Sequence, residues 1–383
     1  MMNPPLPRPI RVLVVDDSAF MRHAVARVLS DAPDVEVVGS AADGEAGLRL
    51  ARTLRPDVVT LDVEMPVLDG LGMLRRLMSE TPTRTIMLSS LTTSGAAVTL
   101  DALDAGAIDF VAKPSGSLSI DIGRVGEELL LKIRTAAAMP EAAFLAHRQR
   151  TAPRIAPRPG GEAGTAGTRS PAAAKTAGAA APSSPRVAAR RLVAIASSTG
   201  GPGALQAVIS ALPARLGCAV IIVQHMPAGF TASLATRLAD SGALPVSEAA
   251  GGDIVGEDRV LVAPGGQHLI TSVGGRVQLI GLPPVNGVRP AADVTLRALA
   301  PIWRERLLTV VLTGMGTDGR DGAATVKEHG GTVFVQNEAT ATVYGMPRAV
   351  AEAGLADRIL PLNRIAAAIT EWAAESAGAK ASA

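Results

Sequence analysis

Cysteine is nearly absent from this 383-residue chain. Cys218 stands alone, so neither an intramolecular disulfide framework nor a cysteine-based zinc site can form. Aromatic residues amount to only 2%, so the cores must be filled by Val, Leu, Ile and Ala. No apolar run approaches the roughly 18 residues that span a bilayer, which excludes membrane insertion. The opening MMNPPLPRPIRVLVVDDS closes its short apolar run with a pair of acids. It lacks the longer apolar stretch and small-residue cleavage site of a secretory signal, so a cytoplasmic location is expected. An excess of charge of one sign is missing as well, with 37 basic against 35 acidic residues. Nine of the basic side chains fall between 147 and 191, against one acid, so the pI near 9.0 belongs to that segment. Neither flanking region offers a basic face or motif, and nucleic acid is not expected as a partner.

Ala, Pro, Gly, Ser and Arg dominate from about His147 to Arg190, with almost no large apolar residues. Such a composition cannot bury enough surface to offset the entropy of ordering, which predicts a flexible linker. The expected organisation is a first domain over 9–135, a linker over 136–190, a second domain over 191–374 and a disordered tail over 375–383. In the first domain IRVLVV, VEVVGS, VVTLDV, TIMLSS and AIDFVAK read as strands, with helical stretches such as RHAVARVLSD and GMLRRLM between them. In the second, RLVAIAS, CAVIIVQ, DRVLVAP, LLTVVLTG and TVFVQ read as strands, and HLITSVGGRVQLI as a hairpin around Gly274-Gly275. Near-continuous apolar strands alternating with helices predict parallel sheets covered on both faces. The fold class is therefore α/β, with two doubly wound domains.

Ligands of such sheets bind at the carboxyl ends of the strands. Asp16 and Asp17 close the first strand and Asp62 the third, while Ser89 closes the fourth and Lys113 the fifth. Three carboxylates gathered at one edge repel one another unless a hard cation such as Mg²⁺ neutralises them. A carboxylate beside that cation and a lysine can act as a nucleophile toward phosphorus. One such aspartate alone would be read as a helix cap or a solvated turn; five polar residues gathered at the ends of four strands would not.

VLVVDDS, LDVEMPVLDG, MLSS and FVAKP resemble the response-regulator receiver family over residues 10–135. The resemblance implies a flavodoxin-like fold in which Asp62 accepts phosphate from a histidine kinase. It also implies that Asp17, Asp62 and the backbone carbonyl of Glu64 hold Mg²⁺, with Asp16 assisting through water. Ser89 and Lys113 would contact the phosphoryl group, and Phe110 would be the switch residue. Ser89 stands where many receivers have threonine and keeps the hydroxyl.

RLVAIASSTGGPGALQAVISAL reads strand, sharp turn, helix, with Ser198 at the turn and Pro202 suited to the first helical turn. A serine there is exposed, and the backbone N–H groups after it face whatever it attacks. Taken alone, this could equally be a turn that caps a helix. His225 follows the next strand in QHMPAGFT, and parallel strands joined by one helix lie side by side. Asp318 follows a later strand in LLTVVLTGMGTDGRDG, where Gly314 and Gly316 allow close backbone approach. A serine needs a neutral imidazole to take its proton, and the imidazole needs an acceptor to hold its tautomer. The competitors are His268, read as structural, His329, read as capping a helix end, Asp321, three residues further from the strand, and Ser197, which points to the opposite face from Ser198.

IASSTGGPGAL, VQHMPAGFT, LTGMGTDG and NEATATVYGMPRAV resemble the catalytic domain of chemotaxis-type protein-glutamate methylesterases, over about 190–370. With the receiver and linker, the likeness covers nearly the whole chain in that family's domain order. It implies a Rossmann-like hydrolase domain with Ser198 as nucleophile, His225 as base, Asp318 as its partner, and Met315 and Thr199 N–H groups as oxyanion donors. Ala196 stands where a glycine is common before the nucleophile. The implied activity is demethylation of glutamate γ-methyl esters, and deamidation of glutamines, on methyl-accepting chemoreceptors, controlled by phosphorylation and needing no cofactor at the hydrolase site. Two other readings remain from the residues: a non-catalytic signalling adaptor, and a hydrolase of the same fold acting on a different ester.

Overall fold

A computed structural model describes residues 8–113, 120–151 and 188–378. The first domain is a five-stranded parallel sheet of β1 (Ile10–Val15), β2 (Val35–Ala41), β3 (Val58–Asp62), β4 (Arg84–Ser89) and β5 (Asp109–Ala112). Its strand order is β2-β1-β3-β4-β5. The helices are α1 (Ala19–Ser30), α2 (Gly44–Leu54), α3 (Gly70–Glu80), α4 (Thr93–Asp104) and α5 (Ile120–Ala138). Ser18, Asp43, Asp69 and Thr92 each cap the helix they precede by accepting a backbone N–H. A further helix, α6 (Glu141–Thr151), follows at once.

The second domain holds seven parallel strands in the order β14-β13-β12-β6-β7-β9-β8. These are β6 (Leu192–Ser197), β7 (Ala219–Gln224), β8 (Val246–Glu248), β9 (Val260–Val262), β12 (Leu307–Val311), β13 (Thr332–Gln336) and β14 (Arg358–Leu360). A separate antiparallel hairpin pairs β10 (His268–Thr271) with β11 (Val277–Ile280), in the place the alternation around Gly274-Gly275 predicts. The helices are α7 (Gly201–Ile209), α8 (Phe230–Ser241), α9 (Ala292–Trp303), α10 (Arg320–Glu328), α11 (Met346–Glu352) and α12 (Leu362–Gly378). Every residue of β6, β7 and β12 is buried, as parallel strands covered on both faces require. The chain winds outward from β6 in one direction and from β12 in the other, so the crevice between their carboxyl ends is the topological switch point. Among the described residues no helix is long and apolar enough to cross a membrane.

Two expected boundaries shift. Residues 136–138 and 141–151, expected in the linker, are helical: α5 runs to Ala138 and α6 occupies Glu141–Thr151. The reason is Phe144, whose ring is 1% exposed in the first domain's core, with the Arg84 guanidinium 5.1 Å above it. Arg84 also donates to the Met139 carbonyl and pairs with Glu141 at 3.0 Å. Helix α12 likewise continues through residues 375–378, which were assigned to the tail. The linker's remaining stretch, 152–187, lies outside the described residues.

Phe144→Ala should therefore destabilise the first domain by about 3 kcal/mol, the usual cost of emptying a buried aromatic site. The measurement is urea unfolding, in which the midpoint falls while the slope is unchanged.

Candidate functional site

The first domain gathers its polar strand ends on one edge because β1, β3, β4 and β5 are neighbours. Carboxylate oxygens of Asp16, Asp17 and Asp62 lie within 4.8 Å of one another. Lys113 Nζ is 2.8 Å from Asp16 Oδ2 and 2.8 Å from Asp62 Oδ2. Burial raises the Asp62 pKa above its ordinary value, against the opposing pull of the Lys113 ammonium. Burial would lower Lys113, but its bonds to Asp16 and Asp62 win and hold it above the usual lysine value. The Glu64 backbone N–H donates to Asp62. An all-oxygen donor set with crowded negative charge suits a hard divalent cation. Ser89 is buried, and its hydroxyl faces α4 rather than this cluster, taking a 2.6 Å bond from Thr99 and reaching the Gly95 carbonyl at 3.4 Å.

In the second domain Ser198, His225 and Asp318 follow β6, β7 and β12, with the serine's strand in the middle. His225 Nε2 is 2.7 Å from Asp318 Oδ2. Burial would raise the Asp318 pKa, but its bond to His225 and the N–H groups of Asp293 and Ala292 outweigh this and hold it below the ordinary value. An ionised Asp318 fixes the tautomer: Nε2 carries the proton, and Nδ1 is left as the acceptor that could take a proton from a hydroxyl. Among the described residues the Ser198 hydroxyl makes no hydrogen bond. Catalytic bonds of this kind are often long before substrate arrives. Gly314 brings the third loop onto the serine, since a Cβ there would sit 2.9 Å from Ser198 Cβ. Helices α7, α8, α10 and α11 all start at a glycine, which brings no capping side chain of its own to this edge.

Buried polar side chains hold these loops. Gln224 donates from Nε2 to the Ser198 carbonyl at 3.0 Å and to the His225 carbonyl at 3.2 Å, while its Oε1 accepts from Ser197. Asp318 accepts from the Ala292 and Asp293 N–H groups at the start of α9, at 2.6 and 2.9 Å. Asp293 returns the favour to the neighbouring helix, accepting from Gly319 N–H at 2.9 Å and Gly322 N–H at 2.7 Å.

The first domain reaches the same edge. Thr199 donates its hydroxyl to Asp109 of β5, and Thr135 of α5 donates to Met315 Sδ at 2.7 Å. The Phe110 ring stacks on Phe230 at 4.6 Å, with the planes 18° apart. Arg237 of α8 pairs with Asp101 and Asp104 of α4. Both residues expected to supply oxyanion donors are thus touched through their side chains by the other domain.

The competitors fall away from the centre. His268 is fully buried, takes the Ala291 N–H on Nδ1 at 3.1 Å and faces the Pro283 carbonyl with Nε2 at 3.2 Å. His329 sits at the end of α10 with Nδ1 on the Thr325 carbonyl at 2.9 Å. Asp321 is spent on Arg297 and Arg320. Sequence reasoning passed over Asp109, Gln224 and Asp293. Only Asp293 left a signal, an acid just inside the apolar pattern that opens α9.

A family model described as CheB methylesterase matches residues 193–369, and one described as response regulator receiver domain matches residues 12–120. A Symbiobacterium thermophilum protein named protein-glutamate methylesterase/protein-glutamine glutaminase is 48% identical over 374 residues, covering 98% of this chain and 100% of its own. A Geobacillus kaustophilus protein of the same name is 44% identical over 375 residues, covering 96% of this chain and 99% of its own. The crystal structure of the Thermotoga maritima CheB methylesterase catalytic domain is 43% identical and spans 47% of this chain and 97% of that one, at a TM-score of 0.46. With identity at this level sustained from end to end, the chain belongs to the protein-glutamate methylesterase/protein-glutamine glutaminase family.

Proposed function

We propose that this protein is a phosphorylation-activated serine hydrolase that demethylates glutamate γ-methyl esters, and deamidates glutamines, on methyl-accepting chemoreceptors. The observation that carries the reading is the His225–Asp318 bond at the carboxyl end of β7 and β12, on either side of Ser198. Ser198 Oγ attacks the side-chain carbonyl while His225 Nδ1 takes its proton. The Thr199 and Met315 N–H groups stabilise the developing oxyanion. His225 then gives the proton to the leaving methoxide, and methanol departs. Water, deprotonated by His225, cleaves the acyl-serine to a glutamate carboxylate and restores the hydroxyl. On a glutamine the same path releases ammonia.

Control comes from the receiver. Asp62 accepts a phosphoryl group from a histidine kinase, with Lys113 balancing the new charge and Ser89 able to meet it by turning from Thr99. Asp16, Asp17 and Asp62, with the Glu64 carbonyl, would hold Mg²⁺, which would neutralise charge on the incoming phosphoryl oxygens. Asp109, Phe110 and Thr135 tie the receiver to the hydrolase rim, and phosphorylation shifts the population away from that docked arrangement. Both halves of the protein act without entering a membrane.

Ser198→Ala should lower methanol release from methylated receptor by at least about 10³-fold; undiminished release would remove the assignment. A small phosphoryl donor should raise the wild-type rate and leave Asp62→Asn unchanged, and equal rates in all four combinations would reject receiver control. Asp109→Ala should raise the rate without donor by about fivefold, the lower range of coupling between sites, when initial rates are compared with wild type.

A further inference from the structure

The two acids Asp318 and Asp293 cap each other's helices. Asp318 stands just before α10 but accepts the first N–H groups of α9, while Asp293 lies in the first turn of α9 but accepts the N–H groups of Gly319 and Gly322 at the start of α10. The four bonds close a ring between the two helix starts, and the ring contains the carboxylate that binds His225. Asp293 is 2% exposed. Burial, with Asp318 and Asp321 nearby, raises its pKa, while the Gly319 and Gly322 N–H groups oppose the rise. Among the described residues its other oxygen meets only Asn286 Nδ2, at a long 3.5 Å.

The glycines make the ring possible. Gly319 has a φ of +92°, which a side chain would strain. A Cβ on Gly322 would stand 2.7 Å from Leu296 Cβ and 3.1 Å from Asp293 Cα, so any larger residue would push α10 off α9. Misplacing a reacting group by about 1 Å can cost on the order of 10²-fold in rate. A side chain that sets where Asp318 sits therefore sets how well His225 is aimed.

We propose that Asp293 is a positioning residue for hydrolysis: by capping α10 it fixes Asp318, and through Asp318 the orientation and tautomer of His225. The proposal rests on the hydrolase reading above for its kinetic consequence, but not for its structural one. Asparagine keeps an oxygen that can accept both N–H groups; alanine keeps none.

The experiment uses the full chain as wild type, Asp293→Ala, Asp293→Asn and Gly322→Ala. The first readout is the downfield proton resonance of the imidazole N–H bonded to Asp318, assigned by its loss in Asp318→Ala. The second is kcat and KM for methylated receptor, with phosphorylation of the receiver as a check on folding. Asp293→Ala and Gly322→Ala should lose the resonance and at least tenfold in kcat, with KM within about twofold. Asp293→Asn should keep the resonance and stay within threefold of wild-type kcat. Retention of the resonance and of kcat in the alanine variant would overturn the proposal, as would an asparagine variant as damaged as alanine. If Asp293→Ala fails to fold, Gly322→Ala carries the same two outcomes. A wild-type resonance that responds as described in a protein without esterase activity would sink the functional reading and leave the positioning role standing.

Discussion

An ionised carboxylate can sit inside a protein only where donors replace its lost water. Asp318 has three, two from the start of a helix and one from an imidazole, and the organisation of the hydrolase rim follows from that arrangement. The helix start contributes partial positive charge as well as N–H groups, so Asp318 stays charged despite its burial. A charged acceptor then dictates which imidazole nitrogen keeps its proton. Without it, either tautomer would be available to His225.

Much of this was legible in the sequence. Strands such as IRVLVV and TVFVQ coincide with β1 and β13, because a strand buried on both faces reads as an unbroken apolar run. Ser198, His225 and Asp318 could be nominated because each follows such a run, and parallel strands bring their carboxyl ends to one edge. The three-residue edge strands β8 and β14 left no comparable pattern, since half-exposed segments such as VSE and RIL carry little periodicity. Helix α6 was hidden by an Ala- and Arg-rich composition that looks like linker until Phe144 is placed in the core. Contacts between the domains, such as Asp109 with Thr199, were beyond reach because no local pattern records which face of one fold meets another.

The interface between receiver and hydrolase mixes chemistries of unequal weight. The two ion pairs of Arg237 involve acids nearly half exposed, at 49% and 45%, and such pairs contribute about 0–1 kcal/mol each. The Phe110–Phe230 stack buries both rings almost completely and carries about 0.5–1.5 kcal/mol beyond its area. The bond from Thr199 to Asp109 is a single hydrogen bond, but it sits one residue from Ser198. The stacked rings therefore outweigh either ion pair in this contact.

The position of the Ser89 hydroxyl has a consequence for the phosphate itself. Turned toward Thr99, it anchors the strand end to α4, the helix that also carries Asp101 and Asp104 to the hydrolase. Drawing that hydroxyl toward a phosphorylated Asp62 would loosen the anchor, and thermodynamic linkage makes the relation mutual. If phosphorylation of Asp62 weakens that association, association must disfavour phosphorylation by the same factor at equilibrium. A receiver held against its hydrolase would then be harder to phosphorylate at equilibrium than the same receiver released.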